Sequence, residues 1–196
     1  MTRATLGICI AVVFAMTLGT ARSAHAQAVT FTRIDDAVGS RFFDPATTRV
    51  DAVDRNKLNI GFNKGLDSAT LKYRDFKAST AAFSYATAMD TISVRITAPA
   101  GYYIAKVTYT QRGSGTVLRT GRLLCGATLI VADIASSLGT FSTNPDLTET
   151  VDLTSRRLTV LPVSITNSLN AFATSTTGSA TVTLTGAEIQ VELRRL

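Results

Sequence analysis

From Thr91 to Thr120 the chain reads TISVRITAPAGYYIAKVTYTQRGSGTVLRT, and its apolar residues fall at every second position. Ile92, Val94 and Ile96 alternate with Ser93, Arg95 and Thr97, and Tyr103, Ala105, Val107 and Tyr109 alternate with Ile104, Lys106, Thr108 and Thr110. Only an extended backbone sends successive side chains to opposite faces, so this is the pattern of strands buried on one side. Ala98-Pro99-Ala100-Gly101 has the residues of a turn, proline presetting φ and glycine relieving the backbone. Arg112-Gly113-Ser114-Gly115 reads as a second turn before a third strand from Val117 to Thr120. Strands adjacent in sequence usually pair, so three neighbours in one sheet are expected here.

The same alternation recurs along the chain. Val29 to Ile34 is expected to be the first strand, with an irregular stretch from Asp35 to Asn56 after it. Strands are expected around Leu58 to Phe62 and Leu71 to Tyr73, and another where Phe83, Tyr85, Thr87 and Met89 share one face against Ala82, Ser84, Ala86 and Ala88. Thr128 to Ala132 is a short apolar run, Asp133 to Asp146 a long connection with room for a helical turn at Ile134 to Leu138. Val151 and Leu153 mark one strand, Leu158 to Ile165 another, and Phe172 its continuation beyond an expected bulge. Ala180, Val182 and Leu184 lie on one parity and Ile189, Val191 and Leu193 on the other, which predicts a β-bulge at Gly186-Ala187, with a tight hairpin as the alternative. About ten short strands without a long amphipathic helix predict an all-β fold, an antiparallel two-sheet β-sandwich of jelly-roll or immunoglobulin-like type.

At the start of the chain Arg3 precedes an apolar run from Leu6 to Leu18, and Ala24-His25-Ala26 is a small-x-small cleavage site, so residues 1 to 26 are expected to be a secretory signal peptide. The run is shorter than the roughly 20 residues of a membrane span. A single domain, 27–196, is expected to follow, exported to the periplasm or medium. Removing the leader takes away Arg3 and Arg22 and no acid, so the formal charge falls by two, from +6 to +4. That moderate charge, with no dense Lys/Arg cluster, does not indicate nucleic-acid binding. Cys125 remains as a lone thiol, which no disulfide can use within the chain and which is expected to be buried among Leu123, Leu124 and Ala127.

The leader also carries the one histidine, His25. Without imidazole the mature chain has neither a Ser-His-Asp nor a Cys-His nucleophile, and lacks the common zinc and copper ligand sets. Carboxylates are what remain for catalysis, and a glycoside hydrolase needs only two of them across the scissile bond. Asp75, Asp90, Asp133 and Glu149 fall in or beside expected loops, with no spacing that pairs them. Asp44, Asp51 and Asp54 gather in one loop with oxygen donors of the kind calcium takes, against the ordinary role of Asp in turns.

For a non-enzymatic sandwich two roles fit. One is glycan binding: Tyr102 beside the Pro-Gly turn, with Arg95, Lys106 and Arg119 on neighbouring strands, forms a candidate surface for an acidic polysaccharide or cell-surface polymer. The other is self-assembly with identical subunits through edge strands such as Val29 to Ile34. A carboxylate-dependent glycoside hydrolase is the enzymatic alternative.

The phrases ITAPAGYYIAKVTYTQRGSG, LTVLPVSITNSLNAFA and GSATVTLTGAEIQVEL resemble exported β-sandwich proteins of bacteria, some of which carry a C-terminal sorting tail. The resemblance spans roughly residues 80 to 196. It implies an exported sandwich and assigns no functional residue. The tail is not seen after Glu192-Leu193-Arg194-Arg195-Leu196, so release is expected over surface anchoring.

Overall fold

The structure, a computed structural model, describes residues 28–36, 44–61, 63–67, 72–140 and 146–196. The expected leader, residues 1 to 26, lies outside them. The described residues form twelve strands and no helix: β1 (Thr30–Asp36), β2 (Asp44–Val50), β3 (Lys57–Gly61), β4 (Asn63–Asp67), β5 (Lys72–Ala81), β6 (Tyr85–Thr97), β7 (Tyr102–Leu118), β8 (Gly121–Val131), β9 (Ile134–Thr140), β10 (Leu147–Asp152), β11 (Val160–Ala173) and β12 (Ser179–Arg195). They make two antiparallel sheets face to face, the expected β-sandwich. One sheet has the order β1-β6-β11-β8-β9; the other runs β10-β7-β12-β3-β2, with β5 also on β12 and β4 on β5. The last two strands, β11 and β12, are therefore interior to the two sheets.

Cross-strand rows show why the alternating residues fold this way. In the first sheet Ile165 faces Ile92 on one side and Leu129 on the other, and Val163 faces Val94 and Val131. In the second, Ile189 lies between Tyr109 and Leu58. All nine are within 2% of full burial. Each fully buried aliphatic side chain contributes about 1.5–3 kcal/mol relative to exposure, so these rows hold the two sheets together.

The central stretch differs from expectation in two respects. Its first turn is present, with Tyr102 N donating to Pro99 O at 3.1 Å and Gly101 at φ 80°. However, β6 and β7 lie in different sheets, and β7 and β8 do too, so each connection crosses the sandwich instead of closing a hairpin. Arg112 to Gly115 is not a turn: Gly113, Ser114 and Gly115 run on through β7, opposite Leu184, Thr183 and Val182 of β12. The glycines carry no side chain to break the ladder, and pairing with a long partner outweighs their turn preference. The chain reverses at Arg119-Thr120.

The expected connection after Ala132 is likewise a strand, β9, which pairs with β8 from Val131↔Ile134 to Cys125↔Thr140 across the two-residue turn Ala132-Asp133. As an edge strand with small, polar residues it lacks the apolar alternation that marks interior strands. Part of the stretch from Asp35 to Asn56 is also strand, in β1 and β2, and Phe172 belongs to an uninterrupted β11. β12 has a register shift between Leu184 and Gly186, at Thr185 just ahead of the expected Gly186-Ala187, and a second between Glu192 and Leu193.

Candidate functional site

The β12–β3 ladder ends at Gln190↔Lys57, and one further bond, Val191 N to Asn56 O at 3.0 Å, holds the chain entering β3 against β12. Beyond it the outward side chains of β7 and β12 stand free of a covering strand. A cleft of about 570 Å³ opens there, lined by Asp54, Asn56, Tyr102, Lys106, Gln190 and Glu192 together with Thr108, Val191 and Leu193. Three separated parts of the chain supply its walls: the turn before β3, the start of β7 and the end of β12.

The cleft's polar groups are ordered by one another. Gln190 Nε2 donates to Asp54 Oδ2 at 3.3 Å. Lys106 Nζ lies 3.5 Å from Glu192 Oε2, and Arg194 Nη2 lies 3.2 Å from Glu192 Oε1. Asn56 Oδ1 accepts the Val29 amide at 3.0 Å, tying the N-terminal segment to the same corner. A half-buried tyrosine beside carboxylates, amides, an ammonium and a hydroxyl offers an aromatic face with donors and acceptors on both sides.

Two of the four residues expected to bind a glycan, Tyr102 and Lys106, therefore line one cleft. Tyr103 is 5% exposed, and the Arg157 guanidinium sits 5.8 Å from its ring centre, which leaves Tyr102 as the accessible tyrosine of the pair. Arg95 and Arg119 are not brought to this place. Arg95 is on β6 in the opposite sheet, beside a shallow hollow lined by Ser93, Ile130, Ala132, Pro162 and Ser164. Arg119 is in the turn after β7, at the far end of a 17-residue strand from Tyr102. Asp54, Asn56, Gln190 and Glu192 join the site through strand pairing between positions far apart in sequence, a relation that local spacing does not carry.

Of the three aspartates considered for calcium, Asp51 and Asp54 share the turn before β3. Asp51 acts within its own turn: Oδ1 accepts the amides of Val53 and Asp54, each at 2.9 Å, and Oδ2 accepts from Asn59 Nδ2 at 3.2 Å. These donors, the backbone amides foremost, hold its carboxyl below the usual aspartate range. Asp54 Oδ1 accepts the Asn56 amide at 3.0 Å, while its other oxygen meets Gln190 in the cleft. Asp44 is in β2, its side chain outside the described residues. Among the described residues no group of three potential ligands is close enough to hold a metal ion.

Among the described residues, the other acids considered for catalysis stand in different parts of the fold. Asp90 is buried between the sheets, Glu149 accepts a hydrogen bond from Ser136 Oγ at 2.6 Å, and Asp133 is ion-paired with Arg156 in the β8–β9 turn. Hydrogen bonding from Arg156 holds the Asp133 carboxyl low. The side chain of Asp75 lies outside the described residues. Cys125 is wholly buried, and loss of solvation pushes its thiol up to about 11. Val29 to Ile34 falls largely in β1, an edge strand on β6 with a register shift between Thr32 and Asp35.

No protein-family model matches the chain, and no characterised protein matches it in sequence. Among solved structures it is similar to TmCBM61 in complex with β-1,4-galactotriose, with a TM-score of 0.30 and 9% identity over 86% of this chain and 88% of that one. An overlap of that size transfers neither ligand nor site.

Proposed function

We propose that the protein is an exported, non-enzymatic binding module that takes a hydroxyl-rich polymer, a polysaccharide segment, in the cleft between the start of β7, the end of β12 and the turn before β3. The observation that carries this is the convergence of Tyr102 with Lys106, Asp54, Asn56, Gln190 and Glu192 around one open cleft. Sugar hydroxyls both donate and accept, and this set does the same, while the tyrosine offers a ring to the apolar face of a pyranose. Two carboxylates stand against one ammonium in the lining, and Glu192 already engages both Lys106 and Arg194. That balance favours a neutral glycan over the acidic one expected from Arg95, Lys106 and Arg119 together.

A titration of the protein with neutral and acidic oligosaccharides tests the reading. Binding of a neutral oligosaccharide that weakens about tenfold in Tyr102→Ala supports it; a glycan screen without any hit, acidic polymers included, sinks it. Because Asp54 and Glu192 line the same cleft, a carboxylate-dependent glycoside hydrolase is the second reading. Release of reducing ends that disappears in both Asp54→Asn and Glu192→Gln replaces binding with catalysis.

A further inference from the structure

Opposite the cleft, three connections that cross between the sheets meet: residues 82–84 between β5 and β6, 119–120 between β7 and β8, and 174–178 between β11 and β12. They are fastened to one another. Ala82 N donates to Gly178 O at 3.0 Å, Phe83 N to Ser175 O at 3.3 Å and Ala173 N to Ser84 O at 2.9 Å. Thr120 and Ser175 share a hydroxyl–hydroxyl bond of 2.5 Å. The tips therefore form one surface with a fixed shape.

That surface is apolar where water reaches it. Phe83 is 69% exposed, Leu118 63% and Tyr85 58%, with Met89, 60% exposed, further along the outer face of β6. The large members of the alternating set Phe83, Tyr85, Thr87 and Met89 thus face outward, and the core takes Ala88. Ala82, Phe83 and Arg119 have φ of 46°, 42° and 52°, a left-handed conformation that side-chain-bearing residues adopt at a cost of about 1–2 kcal/mol each. Glycine is the residue that takes this conformation without that cost. A phenylalanine held there in water gains nothing from the fold around it, which is the kind of outlier that points to use.

The charge around the tips has one sign. Residues 76–89, 101–132 and 153–187, which include all three connections, contain no aspartate or glutamate. Arg119 and Arg122 are exposed and make no ion pair among the described residues, and Lys77 lies on the adjoining β5. A twofold contact between copies through this end would set these arginines against each other, and a polyanion without an apolar phase would leave Phe83 and Leu118 unused.

We propose that this end docks on an anionic phospholipid bilayer, Phe83, Leu118 and Tyr85 entering the interface and Arg119 and Arg122 meeting the head groups. Aromatic residues settle at the head-group level, and each arginine near an anionic surface strengthens binding about fivefold. The cleft then faces away from the bilayer, and neither site depends on the other.

Co-sedimentation of the purified protein with phosphatidylcholine vesicles, with and without phosphatidylglycerol, tests this. Binding is expected only with phosphatidylglycerol, to fall with rising salt, and to weaken about 30-fold in Arg119→Gln/Arg122→Gln. Phe83→Ser/Leu118→Ser is expected to weaken it at least about tenfold. Tyr102→Ala, on the cleft, should leave it unchanged. A thermal melt of each variant checks its fold, and the salt titration of the unaltered protein stands without any variant. No binding, equal binding to both vesicle types, indifference to salt, or a dimer without lipid that Phe83→Ser/Leu118→Ser dissolves would each overturn the proposal.

Discussion

Removing one oxygen from the middle of the sandwich should be measurable at neutral pH and again in base. Tyr109 and Asn167 reach across from opposite sheets, both wholly buried, and the tyrosine hydroxyl donates to Asn167 Oδ1 at 2.5 Å. Asn167 Nδ2 has no hydrogen-bond partner among the described residues. Tyr109→Phe keeps the ring and deletes the donor, so Oδ1 is stranded as well, at a cost of about 1–3 kcal/mol. We expect a loss of about 2 kcal/mol in urea unfolding at pH 7, a large part of the roughly 5–15 kcal/mol that holds a domain together. Asn167→Leu strands the hydroxyl instead, and the double variant should lose less than the two singles summed.

The alkaline arm has a definite sign. Burial holds the Tyr109 phenol protonated well above the range of a free tyrosine, against the smaller opposite pull of Asn167. Below the unfolded pKa, near 10, both states keep the proton and stability is complete. As pH rises past it the unfolded chain ionises and the folded one does not, so stability falls by up to about 1.4 kcal/mol per pH unit. Cys125, pushed up to about 11 from 9.0, adds a loss of the same sign from about pH 9 to 11. Urea curves followed by far-UV circular dichroism in steps up to pH 11 should show Tyr109→Phe with a shallower alkaline decline than the parent. A change under about 0.5 kcal/mol at pH 7, or an identical alkaline slope, refutes the argument.

Three other expectations concern positions away from this pair. A Cβ on Gly121 would run into the Ser179 carbonyl oxygen, a backbone atom that cannot swing aside, so Gly121→Ala should cost about 2–3 kcal/mol in urea unfolding. Asp51 holds its turn in the ionised form, contributing stability above the ordinary aspartate pKa that is lost as pH falls through its lowered one; Asp51→Ala should therefore show a smaller acid-side drop in melting temperature below pH 4. Its oxygens already accept three donors, so melting should be the same in calcium and in chelator, and a calcium-dependent rise would place a cation near Asp44, Asp51 and Asp54 after all. Cys125 should react with a thiol reagent at pH 8 far more slowly in the native protein than in urea, and equal rates would contradict its burial.

The fold class was legible because Ile92, Val94, Ile96, Val107 and Tyr109 sit on strands with one dry face, where the period of two is enforced by burial. What was not legible is pairing. Pro99 and Gly101 mark a reversal whether the next strand returns beside the first or crosses to the other sheet, and only the partners of β7 decide between them. Gly113 and Gly115 look like a turn until Leu184 and Val182 are set opposite them. β9, with Ser136, Ser137 and Gly139, has no large apolar residue after Ile134 except Leu138, since an edge strand has less to bury. Tyr102 and Lys106 could be singled out by their residue types, but their companions Asp54, Gln190 and Glu192 come from the far ends of the chain. Arg95 and Arg119 share their charge with Lys106, but Arg95 stands on the opposite sheet and Arg119 beyond the far end of β7, positions that residue type does not reveal.

The two interior strands are also the last to be made. β11 is flanked by β6 and β8, and β12 by β7 on one side and β5 and β3 on the other, so neither sheet can close until residues 160 to 195 are present. A chain emerging from its N-terminus meets Leu58 more than a hundred residues before its partner Ile189. Such late, distant pairing makes folding slow. For the export proposed above, that delay would leave the chain open to threading through a translocation pore until β12 arrives.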